Sequence, residues 1–237
     1  MTLQPLVPSR SYEASRPLFV ENADEQQFRF TKRGSTFLCE FRNGSYAVLA
    51  RHTLANYKPE QARIPVHDGF NEFFSYDYSW EPRGADDSHD LLLFRLTTTG
   101  NLADWLAVRA PITEKTPQLA SAVFVPGGDL VVSGYPGIGL NEVDYQRDTI
   151  TNQRFIVQCE YSGASDEHVH NLKVCQSATI SDFGGYSGGL VIARTARGLV
   201  PAGVVITGSA RHNVMRFVDV AGLFLSLDNF AKQVNAA

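Results

Sequence analysis

The chain has 237 residues, with 21 Lys and Arg against 25 Asp and Glu for a formal net charge of −4, and 43% apolar against 19% charged residues. That balance excludes a disordered chain and suffices to bury a sizeable core without staples. With no dense Lys/Arg run it argues against nucleic acid or an anionic membrane as a partner, and no apolar run approaches the ~20 residues of a membrane helix.

The opening residues, Met1 to Pro8, have neither a basic start nor an apolar stretch, so they do not read as a secretory signal. Residues 1–27 hold three prolines in their first 25 positions and no periodicity, and are expected to form an arm over the surface. The texture then becomes β. Short apolar runs begin at Ser45, Asp90, Ala122, Asp129 and Gly203, each bounded by Gly, Pro, Asn or Asp, and read as strands. Residues 107–121, with Pro111 and Pro117, look like a connector, dividing the chain into β units at 28–110 and 111–225. A helix is expected only at 226–237, capped by Ser226 or Asp228, with Phe230 and Val234 on one face. Cys39, Cys159 and Cys175 are an odd, sparse set without metal-type spacing. They favour a reducing, cytoplasmic compartment; secretion would require a leader ahead of this sequence.

The sharpest chemical signal is Phe183-Gly184-Gly185-Tyr186-Ser187-Gly188-Gly189, ahead of the apolar Leu190-Val191-Ile192. Glycines expose a serine hydroxyl and let a substrate backbone approach, and successive N–H groups in such a turn can converge on an oxyanion. A plain glycine-rich turn between strands is the competing reading. The same residues satisfy Gly-x-Ser-x-Gly, the nucleophile elbow of α/β-hydrolases. That reading fails on order, because it needs a helix, an acid and then a histidine after the serine. Upstream, His52 follows an apolar strand ending at Leu49-Ala50, and Asp90 opens the run Leu91-Leu92-Leu93. Asp86 and Asp87 sit in a polar loop and are weaker candidates. His89 is on the wrong face of a strand to replace His52.

Two further features carry potential chemistry. His168 and His170, at i and i+2, can share a strand face and hold a metal with Glu167 or Asp166. Their surroundings read instead as a solvated loop without a third ligand, so no metal is expected. Cys159 and Cys175 can pair only if their geometry permits, which sequence does not show.

In the order His52, Asp90, Ser187, the chain resembles the chymotrypsin/trypsin-fold serine proteases, most closely the bacterial trypsin-like peptidases. The resemblance spans roughly residues 28–225. It rests on Gly34-Ser35, the blocks around His52 and Asp90, Gly134-Tyr135-Pro136-Gly137, the Ser187 block and Gly203-Val204-Val205-Ile206-Thr207-Gly208. It implies an all-β fold of two six-stranded antiparallel β-barrels with the active site between them. It also implies a serine endopeptidase needing no cofactor, acting on a protein or peptide substrate and open to a regulatory protein partner. Ser187 would be the nucleophile, His52 the base and Asp90 its orienting acid. The N–H groups of Gly185 and Ser187 would form the oxyanion hole. Ile206, Thr207 and Gly208 would pair with an extended substrate, and Ser181 and Asp182 would lie at the base of the specificity pocket. Two departures stand out. Tyr186 replaces the aspartate by which animal enzymes sense a cleaved N-terminus, so no zymogen switch is expected, and Thr53 replaces the usual cysteine. Tyr186 is expected to pack under the serine turn and hydrogen-bond through its hydroxyl. The alternative from another class is a catalytically silent binding or scaffold protein on the same fold.

Overall fold

A computed structural model describes residues 10–22, 29–66, 72–82, 90–97, 109–137, 142–144, 149–175, 183–196 and 198–236. A short helix α1 (Arg10–Glu13) leads into a first sheet built from β1 (Ser15–Glu21), β2 (Phe30–Phe41), β3 (Gly44–Ala50), β4 (Ala62–Arg63), β5 (Ser75–Trp80), β6 (Leu91–Thr97) and β7 (Ala110–Ile112). Helix α2 (Thr116–Ser121) bridges to the second half, which contains β8 (Asp129–Gly134), β9 (Glu142–Asp144), β10 (Thr149–Thr151), β11 (Phe155–Ala164) and β12 (Val169–Val174). The chain ends with β13 (Leu190–Thr195), β14 (Gly198–Ser209), β15 (Val214–Asp219) and helix α3 (Val220–Ala236).

The second half closes as expected. Six of its strands run β11-β12-β15-β14-β13-β8, with β8 pairing back onto β11, while β9 and β10 pair separately. The first half does not close. It follows the antiparallel order β4-β1-β2-β3-β6-β5, and β7 adds in parallel to β2 beyond the point where β1 ends. The edge strand β4 is two residues long, and among the described residues the chain beyond it meets the approach to β5 at one isolated bridge, Pro65–Phe73. The bridge is made by Phe74 N–H to Ile64 O and Val66 N–H to Glu72 O, and no strand ladder continues from it among the described residues, so this half is an open, curled sheet rather than a second barrel.

Strand alternation splits the first sheet between two cores. Leu38, Ala47, Leu49, Leu92 and Phe94 pack inside the curl, whereas Phe37, Cys39, Val48, Ala50, Leu91 and Leu93 belong to the larger cluster shared with the barrel and α3. That is why Leu91-Leu92-Leu93-Phe94 is apolar without a break. Both faces are covered.

Three local expectations need correction. Over its described part the N-terminal arm is not a surface feature: Ser15–Glu21 is the buried strand β1, paired with both β2 and β4. The same segment ties to the barrel, where Ser15 Oγ donates to Ser133 O at 3.1 Å and Ser133 Oγ to Tyr12 O at 3.2 Å. The run from Ala122 is not a strand but the turn after α2, closed by Val123 N–H to Ala120 O. Helix α3 starts at Val220, six residues before Ser226, because Asp219 Oδ1 accepts the Gly222 N–H at 2.8 Å and caps the helix. Ser226 is a buried interior position, and Leu223, Leu227 and Phe230 form the inward face.

Candidate active site

Antiparallel pairing places the first two site residues. Ala50 at the end of β3 is opposite Leu91 at the start of β6, so the residues just beyond each strand lie side by side. Arg51 N–H donates to Asp90 O at 3.2 Å, and a short 3-10 helix over Arg51–Leu54 turns the His52 ring towards Asp90. Asp90 Oδ1 accepts the His52 backbone N–H at 2.9 Å, and Oδ2 lies 2.6 Å from Nδ1. With Nδ1–H donated to the carboxylate, Nε2 is the acceptor, and it lies 3.2 Å from Ser187 Oγ. The His52 side chain is half exposed, at 50%, and that of Asp90 less so, at 22%. The three residues therefore form a connected His–Asp–Ser triad, with acid and base on the first half and the serine on the second.

Ser187 sits on a turn held from both sides. Tyr186 N–H donates to Phe183 O, Gly189 N–H to Tyr186 O, and Gly188 N–H to Val205 O. From the first sheet, Ser35 N–H donates to Ser187 O at 2.9 Å. Gly188 has φ +85°, and a Cβ there would stand 1.9 Å from Ser35 O, so glycine is required twice over. Gly185 has φ +91°, and a Cβ there would stand 2.6 Å from Tyr135 O and 2.8 Å from Gly137 N. Gly184 O accepts the Gly137 N–H at 2.9 Å. In a trans peptide the N–H points opposite to the C=O, so the Gly185 N–H faces away from Gly137. Neither Gly185 N–H nor Ser187 N–H is engaged by another described residue.

Beside the serine, β14 pairs with β13 as far as Val204, whereas its other edge stays paired with β15 to Ser209. Over Ile206–Gly208 one edge therefore lies outside any ladder among the described residues. Ile206 is buried and its carbonyl lies 3.4 Å from Ser187 Oγ; Thr207 and Gly208 are exposed. Phe183 backs Gly208 so closely that a Cβ there would meet it at 2.9 Å. Ser181, Asp182, His89, Asp86 and Asp87 lie outside the described residues.

Tyr186 is fully buried beneath the serine turn, its ring edge-on to Phe183. The expected hydroxyl bond is not found: Tyr186 Oη has no partner among the described residues, and burial pushes its pKa upwards. The expected solvated loop at His168 and His170 is also corrected. His170 is a buried residue of β12, with Asp219 Oδ2 3.0 Å from Nε2 and the Tyr161 hydroxyl 3.0 Å from Nδ1. His168 Nδ1 lies 3.2 Å from Asp219 Oδ1. Asp219 is 49 residues away from His170 in sequence, so no local pattern revealed the pair. No group of three His, Cys, Asp or Glu side chains among the described residues is arranged to hold a metal. No helix among them is long and apolar enough to cross a membrane.

In the sequence, Gly34-Ser35 is only a short motif without chemistry of its own. In the structure a Cβ at Gly34 would stand 3.0 Å from Ser187 O and 3.2 Å from the Thr53 methyl, and Ser35 contacts the serine turn directly. No family model matches the chain, and no curated protein matches it significantly. The class is defined by geometry: a His–Asp–Ser site of serine-hydrolase type between two mostly β-sheet domains, consistent with a chymotrypsin-fold protease.

Proposed function

We propose that the protein is a trypsin-like serine endopeptidase. The observation that carries this reading is the unbroken contact from Asp90 through His52 to Ser187, at 2.6 and 3.2 Å. Ser187 Oγ attacks the scissile carbonyl while His52 Nε2 takes its proton, and Asp90 stabilises the imidazolium. The imidazolium then protonates the leaving amine, and a water activated by His52 hydrolyses the acyl-enzyme. The outward N–H groups of Gly185 and Ser187 suit an oxyanion hole, in which one donor is worth about 3–4 kcal/mol in the transition state. The free edge over Ile206, Thr207 and Gly208 suits an extended peptide added as a strand. Ser181 and Asp182 would line the specificity pocket. The acid and base belong to a first unit at about 28–110 and the nucleophile to a second at about 111–225.

This is an enzyme without a zymogen switch of the animal type, since buried Tyr186 offers no carboxylate to a liberated amine. In this respect it is closest to the bacterial branch. Three free thiols suit a reducing, cytoplasmic compartment. Incubation with a peptide library tests the reading: the parent should cleave internal bonds, and Ser187→Ala should not. Cleavage by both at one rate would remove Ser187 from the chemistry, and cleavage by neither would favour a silent scaffold.

A further inference from the structure

The two outward donors flank the peptide linking Gly185 to Tyr186, and among the described residues no hydrogen bond from the barrel's own strands reaches its carbonyl. Ser35, on β2 of the other domain, does. Its fully buried hydroxyl donates to Gly185 O at 2.6 Å and accepts the Tyr135 N–H at 2.8 Å. Its backbone N–H takes Ser187 O on the far side of the nucleophile. One residue therefore grips the turn at positions 185 and 187, the two whose N–H groups face outwards.

The surroundings are cut to admit this hydroxyl. Gly134 precedes Tyr135, and a Cβ there would stand 3.0 Å from Ser35 Oγ and 2.9 Å from the Tyr186 ring. Gly185, at φ +91°, adopts a conformation that glycine readily leaves unless its peptides are tethered. Gly137 tethers the peptide before it, through Gly184 O, and Ser35 tethers the peptide after it. An alanine at 35 would leave a buried carbonyl and a buried N–H facing each other without a bridge, and among the described residues only the Tyr186 N–H to Phe183 O, at 3.3 Å, would still hold the Gly185–Tyr186 peptide.

We propose that Ser35 is a positioning residue which, through Gly185 O, fixes the Gly185–Tyr186 peptide that separates the two outward N–H groups, and so makes a competent site from the docking of the two domains. The proposal rests on the serine-hydrolase reading for its kinetic consequence, but its structural content is independent of activity. The test compares Ser35→Ala with Thr36→Val, which removes a neighbouring buried hydroxyl that bonds instead to Val48 O. Ser35→Thr serves as the conservative rescue. On an ester or peptide substrate, Ser35→Ala should lower kcat about 10- to 100-fold, the scale of a misplaced catalytic group, with KM changed less than about threefold. The pH profile set by His52 should not move, and Ser35→Thr should recover most of the loss. Hydrogen exchange by mass spectrometry over residues 183–189 should rise in Ser35→Ala and not in Thr36→Val. If the parent is inert but this exchange difference appears, the proteolytic reading fails and the positioning role stands. Unchanged exchange in Ser35→Ala, or equal kinetic losses in Ser35→Ala and Thr36→Val, would overturn the proposal.

Discussion

Asp90 holds His52 at two points, taking the backbone N–H on Oδ1 at 2.9 Å and the ring Nδ1 on Oδ2 at 2.6 Å. The first contact fixes the 3-10 turn on which the histidine rides, and the second fixes the ring and its tautomer. Asp90→Asn keeps an oxygen for the backbone contact but can offer an N–H to Nδ1, which reverses the tautomer. The expected result is a folded protein with kcat reduced about 10⁴-fold. Matching circular dichroism combined with parent-level turnover would show that the carboxylate does not serve the histidine.

Lys32 donates from Nζ to Pro136 O at 3.0 Å and lies 5.9 Å from the centre of the Tyr135 ring, without a carboxylate partner among the described residues. Burial pulls its pKa down from 10.5 to about 7. Between those two values the unfolded chain binds the extra proton, so stability rises with pH across that window. Below about pH 7 the destabilising effect is fully present. Lys32→Met should therefore raise the urea midpoint most at pH 6, with the gain shrinking towards pH 10. An increment constant across pH 6, 8 and 10 would contradict the buried-cation account.

Tyr186 carries a buried hydroxyl without a partner among the described residues. An unsatisfied buried group costs about 1–3 kcal/mol, so Tyr186→Phe is expected to leave activity intact and stabilise the fold by about 1 kcal/mol. Denaturant titration checks this, and a loss of more than 1 kcal/mol would reveal a bond to the hydroxyl.

The N-terminal segment should behave as part of the fold and not as a releasable peptide. A chain beginning at residue 10 keeps α1 and β1 and should match the full chain in turnover. One beginning at residue 26 loses β1, which lies between β2 and β4, and should fail to fold. A cooperative melting transition in the shorter form would show that β1 is dispensable.

Among the thiols, Cys39 and Cys159 are buried and Cys175 is exposed. Burial pushes Cys159 up to about 12 and Cys39 higher still. Iodoacetamide at pH 8 should modify Cys175 alone in the native protein and all three in urea. A disulfide linking Cys159 to Cys175 in a non-reducing peptide map would contradict the free-thiol geometry.

The triad was legible because each member sits at the end of a short apolar strand, a pattern confined to a few neighbouring residues. β1 was hidden by Pro17, which argues against a strand. In the fold Pro17 pairs with Ser35 on one side, while β4 pairs only with Phe19 and Val20 on the other, so no ladder there calls for the missing N–H. Gly222 hid the start of α3, since a glycine in the first turn weakens the helical signal that the Asp219 cap restores. The open first sheet and the Ser35 contact with Gly185, 150 residues away, depend on pairings between distant segments that no local pattern records.

The central claim is that Ser187 is an activated nucleophile, and a fluorophosphonate probe reads that property without knowledge of the natural substrate. Peptide mapping by mass spectrometry after labelling the native protein should place the phosphonyl group on Ser187 alone. Labelling should be lost in Ser187→Ala and strongly slowed in His52→Ala. Native, folded protein that takes up no label at Ser187, or takes it up no faster than His52→Ala does, would contradict the account.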